Sequence, residues 1–87
     1  MADRRVTRTG KNQSGDITSL CNAGEMWSPR PKADAIHDIE LNLHSYFVVW
    51  PDGVRTAIRV VQGPSGKYLR TDRDHTVRNN LQDLPDC

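Results

Sequence analysis

The chain has 87 residues, enough for one small domain with a single hydrophobic core. Twelve lysines and arginines nearly balance eleven aspartates and glutamates, so the formal net charge of +1 provides no overall field to attract nucleic acid or an anionic membrane. No apolar run approaches the roughly 20 residues that cross a bilayer, which predicts a cytoplasmic protein without membrane contact. We expect one domain over residues 1–87, with flexible ends at 1–4 and in part of 72–87.

The N-terminal part of the sequence predicts a short hairpin. Residues 5–9 and 17–21 have the composition of two strands, and the polar, glycine-containing segment 11–16 separates them. Val6 and Ile17 are the expected inward side chains, with Leu20 as a further candidate.

A single amphipathic helix is predicted from about residue 32. Pro31 suits the first turn of a helix, where its missing N–H costs nothing. Asp34 and Asp38 lie near the helix start, where the macrodipole favours negative charge. Apolar residues recur at spacings of one, three and four, which indicates one stripe made of Ala35, Ile36, Ile39 and Leu43. We expect the helix to end between residues 41 and 44, although no glycine marks its stop.

The strongest local signal is a second hairpin over residues 46–61. Two runs rich in β-branched and aromatic residues flank a Pro-Asp-Gly turn at 51–53. Alternation places Ile58 and Val60 on the face that packs against the helix, so they should form a dry interior with Ile36 and Ile39.

The remaining elements complete an α+β fold. Residues 67–71 form a predicted edge strand after the turn at 63–66, and Leu81 and Leu84 are placed to return the tail to the core. We therefore expect a small antiparallel sheet of about four or five strands, in the order β-β-α-β-β-β, with one helix packed on one face.

Several segments resemble the pattern of one known family. In chain order they are Asp-Ile-Thr-Ser-Leu-Cys at 16–21, Trp27, the predicted helix at 32–40, His-Ser-Tyr-Phe-Val at 44–48, Lys-Tyr-Leu-Arg-Thr at 67–71 and Asn-Asn-Leu-Gln-Asp-Leu-Pro-Asp-Cys at 79–87. Together they resemble domain of unknown function 3892 (DUF3892), a small bacterial family, over nearly the whole chain. One departure is Pro31, where a Ser or Thr helix cap would be expected. The resemblance implies a one-domain bacterial protein and no particular activity, because the family has no assigned function.

One glycine-rich segment invites a phosphate-loop interpretation. The segment 63–67 ends in Gly66-Lys67, but Val61 stands where the Walker pattern has Gly, and Tyr68 where it has Ser or Thr. A strand also follows where the pattern needs a helix. We therefore interpret the segment as a glycine turn between strands.

The two cysteines leave a redox or metal alternative open. Cys87 or Cys21 would be a reactive thiol if it lay beside a base in a sheltered pocket. The two cysteines could also form a metal site with one of the three histidines, namely His37, His44 or His75. The simpler expectation, in a reducing compartment, is one buried thiol and one thiol in an anchored tail.

Basic residues gather in the C-terminal half, where strand alternation would bring them near aromatic rings. The predicted contact surface consists of Arg55, Arg59, Lys67, Tyr68 and Arg70. The sequence identifies no reaction and no catalytic, cofactor or metal residues. We expect a non-enzymatic interaction module that contacts a protein or an anionic ligand through this face. The alternatives are nucleic acid bound by the same face, which the near-neutral charge disfavours, and a thiol-dependent enzyme or metal site at Cys87 and Cys21.

Overall fold

The computed structural model describes residues 2–71 and 80–87, which form eight short strands and one α-helix. The helix α1 spans Lys32–Glu40. The strands are β1 (Ala2–Arg5), β2 (Arg8–Lys11), β3 (Ile17–Cys21), β4 (Arg30–Pro31), β5 (His44–Val49), β6 (Arg55–Ala57), β7 (Arg59–Gly63) and β8 (Gly66–Arg70). A 3-10 helix covers Asn80–Asp83. The predicted α+β class with one helix packed against strands is confirmed, although the strands are more numerous and form three small sheets.

The first predicted strand is in fact two strands that belong to different sheets. β1 pairs with β5 in parallel, and β2 pairs with β3 in an antiparallel hairpin. The chain changes partner at Val6, whose N–H donates to the Phe47 carbonyl, and at Thr7, whose N–H donates to the Cys21 carbonyl. The expected purely antiparallel sheet is therefore wrong, because residues 2–5 pair in parallel with the edge of β5.

The second hairpin is confirmed around its turn. β5 and β6 pair from Phe47↔Ala57 to Val49↔Arg55, and the Trp50 N–H donates to the Val54 carbonyl at 2.9 Å. The strand predicted to continue to residue 61 is divided at Ile58, which is buried. Beyond Ile58 the chain pairs with β8 instead, so β7 and β8 form a separate two-stranded ribbon.

Helix α1 ends in a Schellman motif built on an asparagine. Asn42 adopts a left-handed φ of 55°, and its N–H donates to the Ile39 carbonyl. The Leu43 N–H donates to the Asp38 carbonyl, which completes the motif. Leu43 is thus outside the helix and 47% exposed, so the predicted apolar stripe ends one turn earlier. At the other end Pro31 precedes the helix, with no side-chain cap among the described residues.

One hydrophobic cluster holds the three sheets and the helix together. Ile58 is 4% exposed, while Ile36, Ile39 and Val60 are partly buried and pack against the cluster. The fully or nearly fully buried members are Val6, Ile17, Leu20, Ala35, Tyr46, Val48, Trp50, Ile58, Leu69 and Leu81. Leu81 shows that the tail returns to the core as predicted, with Leu84 partly buried beside it. Within the described residues, no helix has the length and apolar character needed to span a membrane.

Candidate functional site

A cleft of about 510 Å³ lies between the β7–β8 turn, the start of α1 and the 3-10 helix of the tail. We call it the hairpin cleft, and the polar side chains that line it are Asp16, Lys32, Ser65, Lys67, Tyr68, Arg70 and Gln82. Its volume falls within the range of small-ligand sites in proteins. It is therefore the part of the predicted contact surface with the shape of a binding site.

The turn at the rim of the hairpin cleft depends on two glycines. Gly66 has a φ of +118°, which side chains rarely tolerate. A Cβ on Gly63 would lie 2.9 Å from Cε1 of Tyr68, so the Tyr68 ring occupies the space that a side chain there would need. Lys67 is itself the second residue of strand β8. The segment is thus a glycine turn between strands, as the sequence indicated, and is not a phosphate loop.

The electrostatic balance of the hairpin cleft is positive. Lys32, Lys67 and Arg70 contribute three cations to its lining, whereas Asp16 contributes one carboxylate. Lys67 Nζ lies 2.7 Å from Glu40 Oε2, and both side chains are more than 40% exposed. Such an exposed ion pair contributes at most about 1 kcal/mol, so a ligand anion can replace Glu40 at low cost.

The five residues of the predicted contact surface do not form one face. Lys67, Tyr68 and Arg70 line the hairpin cleft, and Arg59 lies opposite Arg70 in the β7–β8 register without lining it. Arg55 belongs to another sheet, where its guanidinium stacks 3.7 Å from the Phe47 ring centroid and pairs with Asp3. The strand that was predicted to continue to residue 61 is divided at Ile58. Arg55 therefore lies in a different sheet from the other four residues of the predicted contact surface.

The two cysteines form a disulfide, so the expectation of two free thiols is wrong. Cys21 lies at the end of β3, and the tail brings Cys87 to a Cα–Cα distance of 6.3 Å from it. Backbone hydrogen bonds align the tail with β2, since the Thr9 N–H donates to the Pro85 carbonyl and the Cys87 N–H to the Thr9 carbonyl. Local sequence patterns could not predict this disulfide, because the two cysteines are 66 residues apart in the chain.

A histidine site with the cysteines does not form within residues 2–71 and 80–87. Both sulfurs are in the disulfide, and the described part of the chain contains no group of three potential metal ligands. His37 is exposed on α1, whereas His44 begins β5 with a buried Nδ1 that has no hydrogen-bond partner in this structure. His75 lies outside the described residues.

A buried carboxylate is the feature that sequence reasoning missed. Asp38 is 2% exposed and receives two hydrogen bonds of 3.0 Å from the Arg30 guanidinium. The Tyr46 hydroxyl donates to the same carboxylate at 2.5 Å, and Arg4 donates to the Tyr46 oxygen at 2.9 Å. The Arg4 guanidinium also lies 5.7 Å from the ring centroids of Trp27 and Tyr46. The position of Asp38 three residues after Ala35, on the buried side of α1, was the available signal.

These contacts fix the charge states of the cluster. Burial opposes ionisation of Asp38, but the hydrogen bonds from Arg30 and Tyr46 and the Arg30 charge outweigh it and lower the pKa of that carboxyl. Burial and the hydrogen bond to Asp38 raise the pKa of Tyr46, so its phenol stays protonated as a donor. Arg30 and Tyr46 already donate hydrogen bonds to both carboxylate oxygens of Asp38. The cluster therefore has a structural role, in which it links β1, β4, α1 and β5.

Fold and sites together define a small α+β protein with a cationic cleft and a tail joined to β3 by a disulfide. The chain belongs to the family described as protein of unknown function (DUF3892), whose model matches residues 5–85. This confirms the resemblance, and the match extends over nearly the whole chain except its last two residues and the first four. No curated protein and no solved structure matches the chain.

Proposed function

We propose that this protein is a small, non-enzymatic binding module whose hairpin cleft takes an anionic ligand. The observation that carries the proposal is the lining of three cations against one carboxylate in a cleft of about 510 Å³. A ligand with phosphate or carboxylate groups matches this lining, and the same chemistry on a protein partner would be an acidic side chain.

The arrangement suits reversible binding. Lys67 can exchange its exposed partner Glu40 for a ligand oxygen, and the ring of Tyr68 offers an apolar surface beside the charges. Nucleic acid is the less well supported ligand, because Arg55 is separated from Arg59 and Arg70 and the total charge is close to zero.

A cytoplasmic location is part of the proposal. Disulfides in the cytosol of mesophiles are usually transient or redox-active, so the Cys21–Cys87 bond would be one that forms and breaks there. Detection of the protein in a cytosolic fraction with a mixed population of oxidised and reduced Cys21 and Cys87 would support this location, and a fully oxidised secreted pool would contradict it.

Removing one cation from the hairpin cleft is expected to weaken anion binding about tenfold. A hydrogen bond to a charged group contributes roughly 1.5–3 kcal/mol, and 1.4 kcal/mol corresponds to a factor of ten in affinity. The measurement is an NMR titration of uniformly labelled protein with pyrophosphate at low salt, on the wild type and on the Lys32→Gln and Lys67→Gln variants.

The matched control is Arg55→Gln, which removes a cation from a different sheet and should leave pyrophosphate affinity unchanged. Amides of residues 63–70 should shift in the wild type. Unmoved amides there, or equal affinities in all four proteins, would refute the hairpin cleft as the binding site. A titration with a single-stranded oligonucleotide tests the other ligand, whose affinity would have to fall steeply with salt.

A further inference from the structure

The two cysteines of the disulfide differ in their exposure to solvent. Cys21 is 4% exposed within the end of β3, whereas Cys87 is exposed on the tail. Thiol–disulfide exchange begins when a thiolate attacks one sulfur, and access decides which sulfur is attacked. In this protein Cys87 Sγ is therefore the sulfur open to attack, and Cys21 Sγ is the leaving group.

A second cavity adjoins the disulfide. It has a volume of about 550 Å³ and is lined by both cysteines together with Arg8, Ser19, Ser28 and Pro29. We call it the disulfide cavity. It lies on the β2–β3 side of the molecule and shares no lining residue with the hairpin cleft. Its size suits a small molecule of the dimensions of a tripeptide thiol.

A serine hydroxyl is placed to assist the leaving sulfur. Ser19 Oγ lies 3.9 Å from Cys21 Sγ and 3.8 Å from Cys87 Sγ, so it can donate a hydrogen bond to either sulfur. Gly10 faces it on β2, and a Cβ on Gly10 would clash with the Ser19 hydroxyl. The glycine therefore leaves room for the hydroxyl beside the disulfide.

We propose that Cys21–Cys87 is an exchangeable disulfide that reacts, in the folded protein, with a low-molecular-weight thiol bound in the disulfide cavity. The thiolate of the small molecule bonds to Cys87 Sγ, the Sγ–Sγ bond breaks, and its electron pair remains on Cys21 Sγ as a thiolate. Ser19 stabilises that thiolate by donating its hydroxyl proton to a hydrogen bond, and the thiolate is then protonated from solvent. The thiolate of a second small molecule then attacks the sulfur of the first small molecule in the mixed disulfide. This step releases Cys87 as a thiol and leaves the two small molecules joined as the oxidised product.

The tail does not depend on the disulfide alone for its position, which allows the exchange to be reversible. The Thr9 hydroxyl donates to the Leu81 carbonyl, and Lys11 Nζ donates to the Leu84 carbonyl. Lys11 also pairs with Asp86, the residue before Cys87, at 2.6 Å. These contacts keep Cys87 near Cys21 after the bond has opened, so the mixed disulfide can close again by attack of Cys21.

The test is incubation of the oxidised protein with reduced glutathione, without denaturant, followed by acid quench, alkylation and peptide mass spectrometry. We expect one glutathione on Cys87 and an alkylated Cys21, with at least tenfold less adduct on Cys21. The Ser19→Ala variant should form the adduct about tenfold more slowly than the wild type, at an unchanged melting temperature. Ser14→Ala, an exposed serine in the turn between β2 and β3, is the matched control and should react like the wild type.

A series in low concentrations of urea separates exchange in the folded protein from exchange after unfolding. A rate that stays flat below the unfolding transition supports the proposal. A rate that rises with urea in parallel with the unfolding equilibrium, an adduct shared equally by both cysteines, or a Ser19→Ala rate equal to that of the wild type would overturn it.

Discussion

Replacing Cys87 by serine is expected to lower the free energy of unfolding by about 4 kcal/mol. The disulfide closes a segment of 66 residues, and in the chain-entropy account a loop of this length restricts the unfolded state by that amount. Small domains have unfolding free energies of only about 5–15 kcal/mol, so the loss would be a large share of the total. Urea unfolding of the oxidised wild type and the Cys87→Ser variant, followed by circular dichroism, gives the difference.

The choice of cysteine matters for the interpretation of this experiment. Cys87 is exposed, so its serine variant introduces no buried hydroxyl, whereas a change at the buried Cys21 would also disturb the core. The fully reduced wild type is the control and should unfold at the same urea concentration as the Cys87→Ser variant. If reduction and substitution both left the midpoint unchanged, the disulfide would have no stabilising role.

The Asp38→Asn variant is expected to lose about 3 kcal/mol of stability at neutral pH. The change keeps the shape of the side chain but leaves Arg30 and Arg4 without their buried counter-charge, and breaking a buried ion pair typically costs roughly 3–5 kcal/mol. The lower end applies because the Arg30 side chain is 31% exposed. The matched control is Asp34→Asn, an exposed acid one turn earlier on α1, for which we expect a change below about 0.5 kcal/mol.

Measuring the stability of the wild type and of Asp38→Asn as a function of pH tests the same carboxylate, with a defined direction of change. The pKa of Asp38 is lower in the folded protein than its ordinary value of about 4, so the unfolded chain binds the proton more readily. The Asp38 carboxylate therefore makes its full contribution to the free energy of unfolding at pH values above its ordinary pKa. This contribution is lost as the pH falls through the pKa of Asp38 in the folded protein. The stability difference between the wild type and Asp38→Asn should narrow in acid. A constant difference from neutral pH to about pH 2 would contradict this role of the carboxylate.

The sequence predicted those elements whose signals are local. The Pro-Asp-Gly turn fixed the hairpin of β5 and β6, the apolar spacing fixed α1, and Leu81 was identified as the residue that returns the tail to the core. Lys67, Tyr68 and Arg70 were found because they lie on one short strand beside a glycine turn.

The features that could not be predicted from the sequence depend on contacts with residues far away in the chain. β1 contains Asp3, Arg4 and Arg5, which have no strand pattern, and it is extended because the edge of β5 offers it hydrogen bonds. The disulfide needs the whole fold to bring Cys87 to Cys21. The sequence placed Asp38 near the helix start as an acid that the macrodipole favours, whereas it lies in the last turn of α1. Its burial could not be predicted, because the charges that compensate it come from β1 and β4.

The contact between β2 and the tail has a consequence for how the chain reaches its native state. The Thr9 hydroxyl donates to the Leu81 carbonyl, 72 positions further along the chain. Strand β1 can pair only when β5, 42 positions further along the chain, is in place. Proteins dominated by such non-local pairings fold in milliseconds to seconds, more slowly than helical bundles of the same size. During synthesis the interior should stay open until the residues after position 79 have emerged. A polypeptide truncated there should remain protease-sensitive, and a folded, resistant fragment would show that the core closes without them.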